Sequence, residues 1–102
     1  MADHSGIIAR IEAAERDLIA APNAVAGRIA GTIRDLLARI EQATPGGAPL
    51  HAQLDATRKW LAVLERPADH DRFGGLAHIR DYVVTQLRLT RGAVEDYARE
   101  MR

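Results

Sequence analysis

The sequence predicts an all-α protein: a small antiparallel bundle of three to four helices with a long, coiled-coil-like C-terminal helix, completed by oligomerisation. Three observations carry that prediction. Apolar residues recur every three or four positions along most of the chain, whereas alternation with period two never runs beyond a few residues. Proline and glycine gather around Pro22, in the TPGGAP stretch at 44–49 and between Pro67 and Gly75, dividing the chain into four periodic segments. Apolar residues make up 47% of the 102 but aromatics only 4%, so the core is aliphatic and thin, a composition suited to helices packed closely on each other or on a second copy.

In residues 7–20, Ile7, Ile8, Ile11, Leu18 and Ile19 close one stripe on a helix turning about 100° per residue, and Ser5 is the candidate N-cap. Pro22 has no amide proton and clashes with the preceding turn, so the helix is expected to break there. A kinked continuous helix is the alternative, because the next stripe is in phase. Residues 24–43 form that stripe from Val25, Ile29, Ile33, Leu36, Leu37 and Ile40. Residues 50–65 repeat it with Leu50, Leu54, Trp60, Leu61 and Leu64 before Pro67. From about residue 75 a seam of Leu76, Ile79, Val83, Leu87, Thr90, Val94, Tyr97 and Met101 alternates three- and four-residue steps. Residues 1–102 read as one helical domain, with no internal repeat or linker.

Composition removes several function classes. With 14 basic and 14 acidic residues the net charge is zero, so the chain as a whole exerts no pull on nucleic acid or anionic membrane. Lys59 is the only lysine, an arginine bias that a GC-rich, bacterial-type genome explains. Absence of cysteine excludes disulfides, thiolate metal sites and cysteine nucleophiles. The N-terminal stretch meets Arg10 and Glu12 soon after its isoleucines, unlike a signal peptide, and no apolar run approaches membrane-spanning length. A cytoplasmic protein with no cofactor and no membrane partner is the expectation.

Chemistry finds little footing. Ser5 is the only serine and lies in no nucleophile elbow, and no paired carboxylates sit in an apolar setting. The stretch DHDRFGGLAHIR at 69–80 is the densest in functional groups. His70, Asp71 and His78 have metal-ligand chemistry, but not the i,i+3 or i,i+4 spacing that puts two ligands on one helix face. Gly74 and Gly75 before a helix, with Arg72, His78 and Arg80 nearby, form a weak candidate anion site. The simpler reading is a turn capped by Asp69 or Asp71, reversed at the glycines and pinned by Phe73. Histidine phosphotransfer domains carry lysine and then glycine three and four residues after the histidine; Asp81 and Tyr82 follow His78 instead, a contrast with that family. Trp60 and Tyr82 are candidates to line a space between helices, or to fill the core.

Surfaces suggest partnership. The backs of the first two helices are smooth: Ala9, Ala13 and Ala20 on one, Ala24, Gly27, Gly31 and Ala38 on the other. Gly27 and Gly31 each cost about 1 kcal/mol against alanine in a helix, a cost that another closely approaching backbone would explain. On the last helix Arg80, Arg88, Arg91 and Arg99 share an edge, partly neutralised by Glu95, while Glu12–Arg16, Asp35–Arg39 and Asp55–Lys59 are spaced for i,i+4 pairs. The expected function is a non-enzymatic adaptor or regulator, a homodimer or higher oligomer that binds another protein. Its expected contacts are Gly27, Gly31, Arg34, Val84, Arg88, Arg91 and Arg99. A nucleic-acid-binding regulator using the arginine edge and a small-molecule- or metal-responsive bundle are the alternatives.

Overall fold

The computed structural model describes residues 4–22 and 26–101, which form four helices and no strand. They are α1 (His4–Ala20), α2 (Ala26–Ala43), α3 (Ala48–Leu64) and α4 (Leu76–Glu100). α1 and α2 are separate elements packed side by side, so the chain breaks at Pro22 and makes a hairpin. Val25 and Ala24, expected on opposite faces of the second helix, lie outside the described residues. α1 already includes Ser5, which is therefore a first-turn residue and no N-cap.

Cross-helix contacts set the topology. Arg34 meets Glu65 and Glu41 meets Arg58, so α2 and α3 run antiparallel. Pro45 bonds Tyr97 while Trp60 stacks on Tyr82, and Glu12 and Glu15 of α1 meet Arg91 and Arg88 of α4. Each helix thus runs antiparallel to both of its neighbours, around a bundle 44 × 22 × 17 Å across. α4 packs chiefly on α1 and α3, and α2 closes the fourth side.

Ile11, Leu18, Ile33, Leu37, Ile40, Leu54, Leu61, Ile79, Val83, Leu87 and Val94 are fully buried. Burying each such side chain contributes about 2 kcal/mol. Not every expected stripe residue belongs to this core. Ile19 is 55% exposed and Met101, beyond the last turn of the seam, is 65% exposed, while Ile7, Ile8, Ile29, Trp60 and Leu76 sit half-buried at its edge. Ala14, Thr57 and Glu15 take inward positions instead. Thr57 stands three residues after Leu54 and four before Leu61, the true line of the α3 stripe, whereas Trp60 is about 90° off it.

The loops are latched by polar groups. In the TPGGAP turn the buried Thr44 hydroxyl donates to the Ile40 carbonyl at 2.6 Å, and His51 Nε2 donates to the Thr44 carbonyl at 2.9 Å. The Tyr97 hydroxyl donates to the Pro45 carbonyl at 2.9 Å. Between α3 and α4 run two short 3-10 turns, Pro67–Asp69 and Asp71–Phe73. Neither Asp69 nor Asp71 caps them through its side chain, contrary to expectation; His70 Nε2 instead donates to the Leu64 carbonyl at 3.1 Å, satisfying an end group of α3. Gly74 and Gly75 then reverse the chain at φ values of 89° and 96° that L side chains rarely adopt.

Candidate interaction surface

Antiparallel packing of α3 on α4 sets Trp60 opposite Tyr82, with ring centroids 4.5 Å apart and planes tilted by 30°. The Gly74–Gly75 reversal brings Phe73 edge-on to Trp60 at 5.6 Å and 76°. Three of the four aromatic residues of the chain therefore meet on one outer face rather than in the core. They remain accessible: Phe73 is 36% exposed and Tyr82 45%, and Leu89, two turns along α4, is 52% exposed.

Helical spacing extends the patch. Ala52, Gln53, Ala56, Trp60 and Val63 line the outer side of α3, and Tyr82, Thr85, Gln86, Leu89, Gly92 and Ala93 that of α4. None of these residues is charged, in a chain that is 27% charged. Beneath the strip, Gln53 Nε2 donates to Gln86 Oε1 at 2.7 Å, and the buried Thr57 and Thr90 hydroxyls lie 3.1 Å apart. The amides are turned toward each other, so the face offers apolar and aromatic area with few unpaired polar groups. Depletion of charge with enrichment of aromatics is the composition of an interface centre.

The residues expected as contacts lie elsewhere. Val84 is 5% exposed and belongs to the core, a correction that follows from its place on α4 toward α1. Arg34 pairs with Glu65 at 2.8 Å, and Arg99 pairs with Asp96. Arg88 reaches the buried Glu15 at 3.2 Å, and Arg91 bridges Glu12 at 3.2 Å and Glu15 at 3.6 Å. Half of the arginine edge, Arg88 and Arg91, is thus spent in joining α4 to α1. Gly27 and Gly31 are exposed, and a Cβ at either would meet nothing within 4 Å, so no neighbouring helix of the same chain explains them.

None of the expected i,i+4 ion pairs is made among the described residues. Cross-helix partners and the i,i+3 pairs Asp55–Arg58 and Asp96–Arg99 replace them. As a result Arg10, Asp17, Asp35 and Arg39 line an α1–α2 groove of about 370 Å³ without pairing among the described residues. Its two arginines and two aspartates cancel, so the groove carries no net charge that would draw a charged ligand.

The weak anion site does not assemble. The Gly75 amide donates to the His70 carbonyl at 2.7 Å and the Gly74 amide to that of Asp71 at 3.3 Å, leaving neither for a ligand. Arg72 is exposed, Arg80 half-buried, and the exposed His78 folds back over Gly74. With His70 committed to Leu64, the two histidines serve separate turns. Among the described residues no three His, Asp or Glu side chains come together in a metal-holding group, and no helix is long and apolar enough to cross a membrane.

The sequence carried one signal for the surface: Tyr82, Gln86, Leu89 and Ala93 repeat four-three-four steps as a second, uncharged stripe behind the seam. Its aromatic partners come from other elements, which spacing alone does not join. Glu15 was detectable too, four residues after Ile11 and three before Leu18 on the apolar stripe itself. No family model, curated protein or solved structure matches this chain.

Proposed function

We propose that this chain is a non-enzymatic interaction protein, an adaptor or regulator that works by docking a protein partner on the outer α3–α4 face. The single observation behind this reading is the uncharged strip around Trp60, Tyr82, Phe73 and Leu89, where three of the four aromatic residues stay accessible. Large apolar groups left exposed together, rather than scattered singly, mark sites of association. The charged groups between α1 and α4, and Arg34 of α2 with Glu65 after α3, are engaged within the chain, which supports α3–α4 over the arginine edge as the docking face.

The test is site-specific photo-crosslinking in living cells. A photoreactive amino acid replaces Leu89 in one variant and the exposed Arg16 of α1 in another. Protein adducts are expected from position 89 and not from position 16. No adduct at 89, or equal adducts at both, overturns the reading.

A further inference from the structure

We propose, building on the reading of the α3–α4 face as protein-binding, that its partner is a second copy of this chain. The two copies are related by a twofold axis parallel to the helices, so that α3 of each packs antiparallel to α4 of the other.

The argument rests on where the charges stop. Lys59 precedes Trp60, and Asp81 precedes Tyr82. One residue is about 100° of helix rotation, so each of these charges lies on the flank of its helix away from the Trp60–Tyr82 contact. Lys59 therefore borders the face on the α3 side and Asp81 on the α4 side, at nearly the same height, since Trp60 and Tyr82 are directly opposed. Both are exposed, and neither has an ion pair among the described residues.

A twofold axis along the helices exchanges the two sides of the face. It lays Lys59 of each copy beside Asp81 of the other, giving two reciprocal ion pairs around a merged cluster of Trp60, Tyr82 and Phe73. Farther along, the small Ala52 comes opposite Gly92. A twofold axis across the helices would set α3 on α3 and bring Lys59 toward Lys59 and Asp81 toward Asp81 when the aromatic clusters overlap. Like charges meeting at an interface disfavour that arrangement. Symmetric pairing of one patch with itself is the commonest way a homodimer closes. A side of a molecule 44 × 22 × 17 Å across sets an upper bound of the same order as the about 800 Å² per partner of a standard interface.

The sequence supplies its own probe, because Lys59 is the only lysine. An equal mixture of isotopically light and heavy full-length protein is treated with a zero-length carbodiimide, which joins amines to carboxylates in contact. The expected results are a species of twice 11.2 kDa by sedimentation at about 0.1 mM and a light–heavy peptide joining Lys59 to Asp81. Lys59→Glu should weaken dimerisation about tenfold, and adding Asp81→Lys should restore it. Both positions are exposed, and circular dichroism checks that the variants keep their helices. A dimer without the Lys59–Asp81 link, or one that the exchanged pair does not restore, overturns this pairing. A monomer at that concentration overturns the second copy as partner. In that case adducts of another protein at Leu89 would leave the docking face standing, whereas no adduct at all would remove both.

Discussion

Glu15 of α1 and Arg88 of α4 form an ion pair in which only the acid is buried: the carboxylate side chain is 8% exposed and the guanidinium-bearing side chain 58%. Arg91 stands at 3.6 Å from the other carboxylate oxygen, which has no hydrogen bond of its own. Burying a charge is tolerable only while a partner remains, and here two partners share that role. Arg88→Ala and Arg91→Ala should each cost about 0.5–1 kcal/mol, because the other arginine still faces Glu15. Together they should cost more than the sum, and adding Glu15→Met should recover most of the loss, since an apolar side chain needs no counter-charge. Urea denaturation of the five proteins reads the coupling directly. Additive single losses, or a further loss on adding Glu15→Met, would show that the arginines act only as surface charges.

Thr57 and Thr90 make a second coupled pair. Their hydroxyls lie 3.1 Å apart, and each also sits within reach of the carbonyl four residues earlier, Gln53 at 2.9 Å and Gln86 at 2.8 Å. Two protons cannot serve all three bonds at full strength, so the hydroxyl contact is made at the expense of one back-bond. Thr57→Val and Thr90→Val should each cost about 1 kcal/mol, and the double variant clearly less than twice that, because the shared contact is lost with the first change and both carbonyls keep their helical bonds. Strict additivity in a double-mutant cycle would mean that the two hydroxyls do not interact.

How far the sequence reaches is visible in these same residues. Helix identity was legible because the apolar repeat follows from 3.6 residues per turn, and the breaks because Pro22, Pro45 and Pro67 restrict the backbone locally while Gly74–Gly75 permit the reversal. Ion pairs were not legible. Glu12 stands four residues from Arg16 in sequence yet bonds Arg91, which only the α1–α4 packing brings near. The aromatic face was legible only in part: Trp60 and Tyr82 were candidates to line one space between helices, but nothing local joins them to Phe73, which comes from the turn between α3 and α4. Local rules fix elements, whereas the surface depends on which elements become neighbours.

The Gly74–Gly75 reversal allows two kinds of strain to be separated. A side chain at Gly75 would meet nothing within 4 Å, so Gly75→Ala should cost only the backbone penalty of φ 96° with ψ 167°, a region nearly reserved to glycine, about 1–3 kcal/mol. Gly74, at φ 89° and ψ 9°, is left-handed helical, and its backbone penalty of about 1–2 kcal/mol is joined by a clash, because the new Cβ would sit 2.9 Å from His78 Cδ2. Thermal denaturation with and without His78 separates the two contributions. In a His78→Ala background the cost of Gly74→Ala should fall, while that of Gly75→Ala should stay the same. An unchanged cost of Gly74→Ala in that background would show that the ring swings aside freely.

Tyr97 holds the opposite end of the bundle by one hydrogen bond and one close approach. Its hydroxyl donates to the Pro45 carbonyl at 2.9 Å, and its ring edge lies against Gly47, where a Cβ would fall 3.1 Å from both Cδ2 and Cε2. Tyr97→Phe keeps the packing and removes only the bond, so it should cost about 1 kcal/mol. Gly47→Ala should cost more, because the ring must move and break that bond, while the Thr44 carbonyl at 3.2 Å blocks the Cβ from the other side. If the bond and the approach are one device, Gly47→Ala will hurt the Tyr97→Phe protein less than the parent, since nothing remains to be broken when the ring shifts. Amide exchange in residues 44–47 should report the same order, fastest in Gly47→Ala. An equal penalty in both backgrounds would separate the two and leave the Thr44 carbonyl as the sole reason that glycine is needed at position 47.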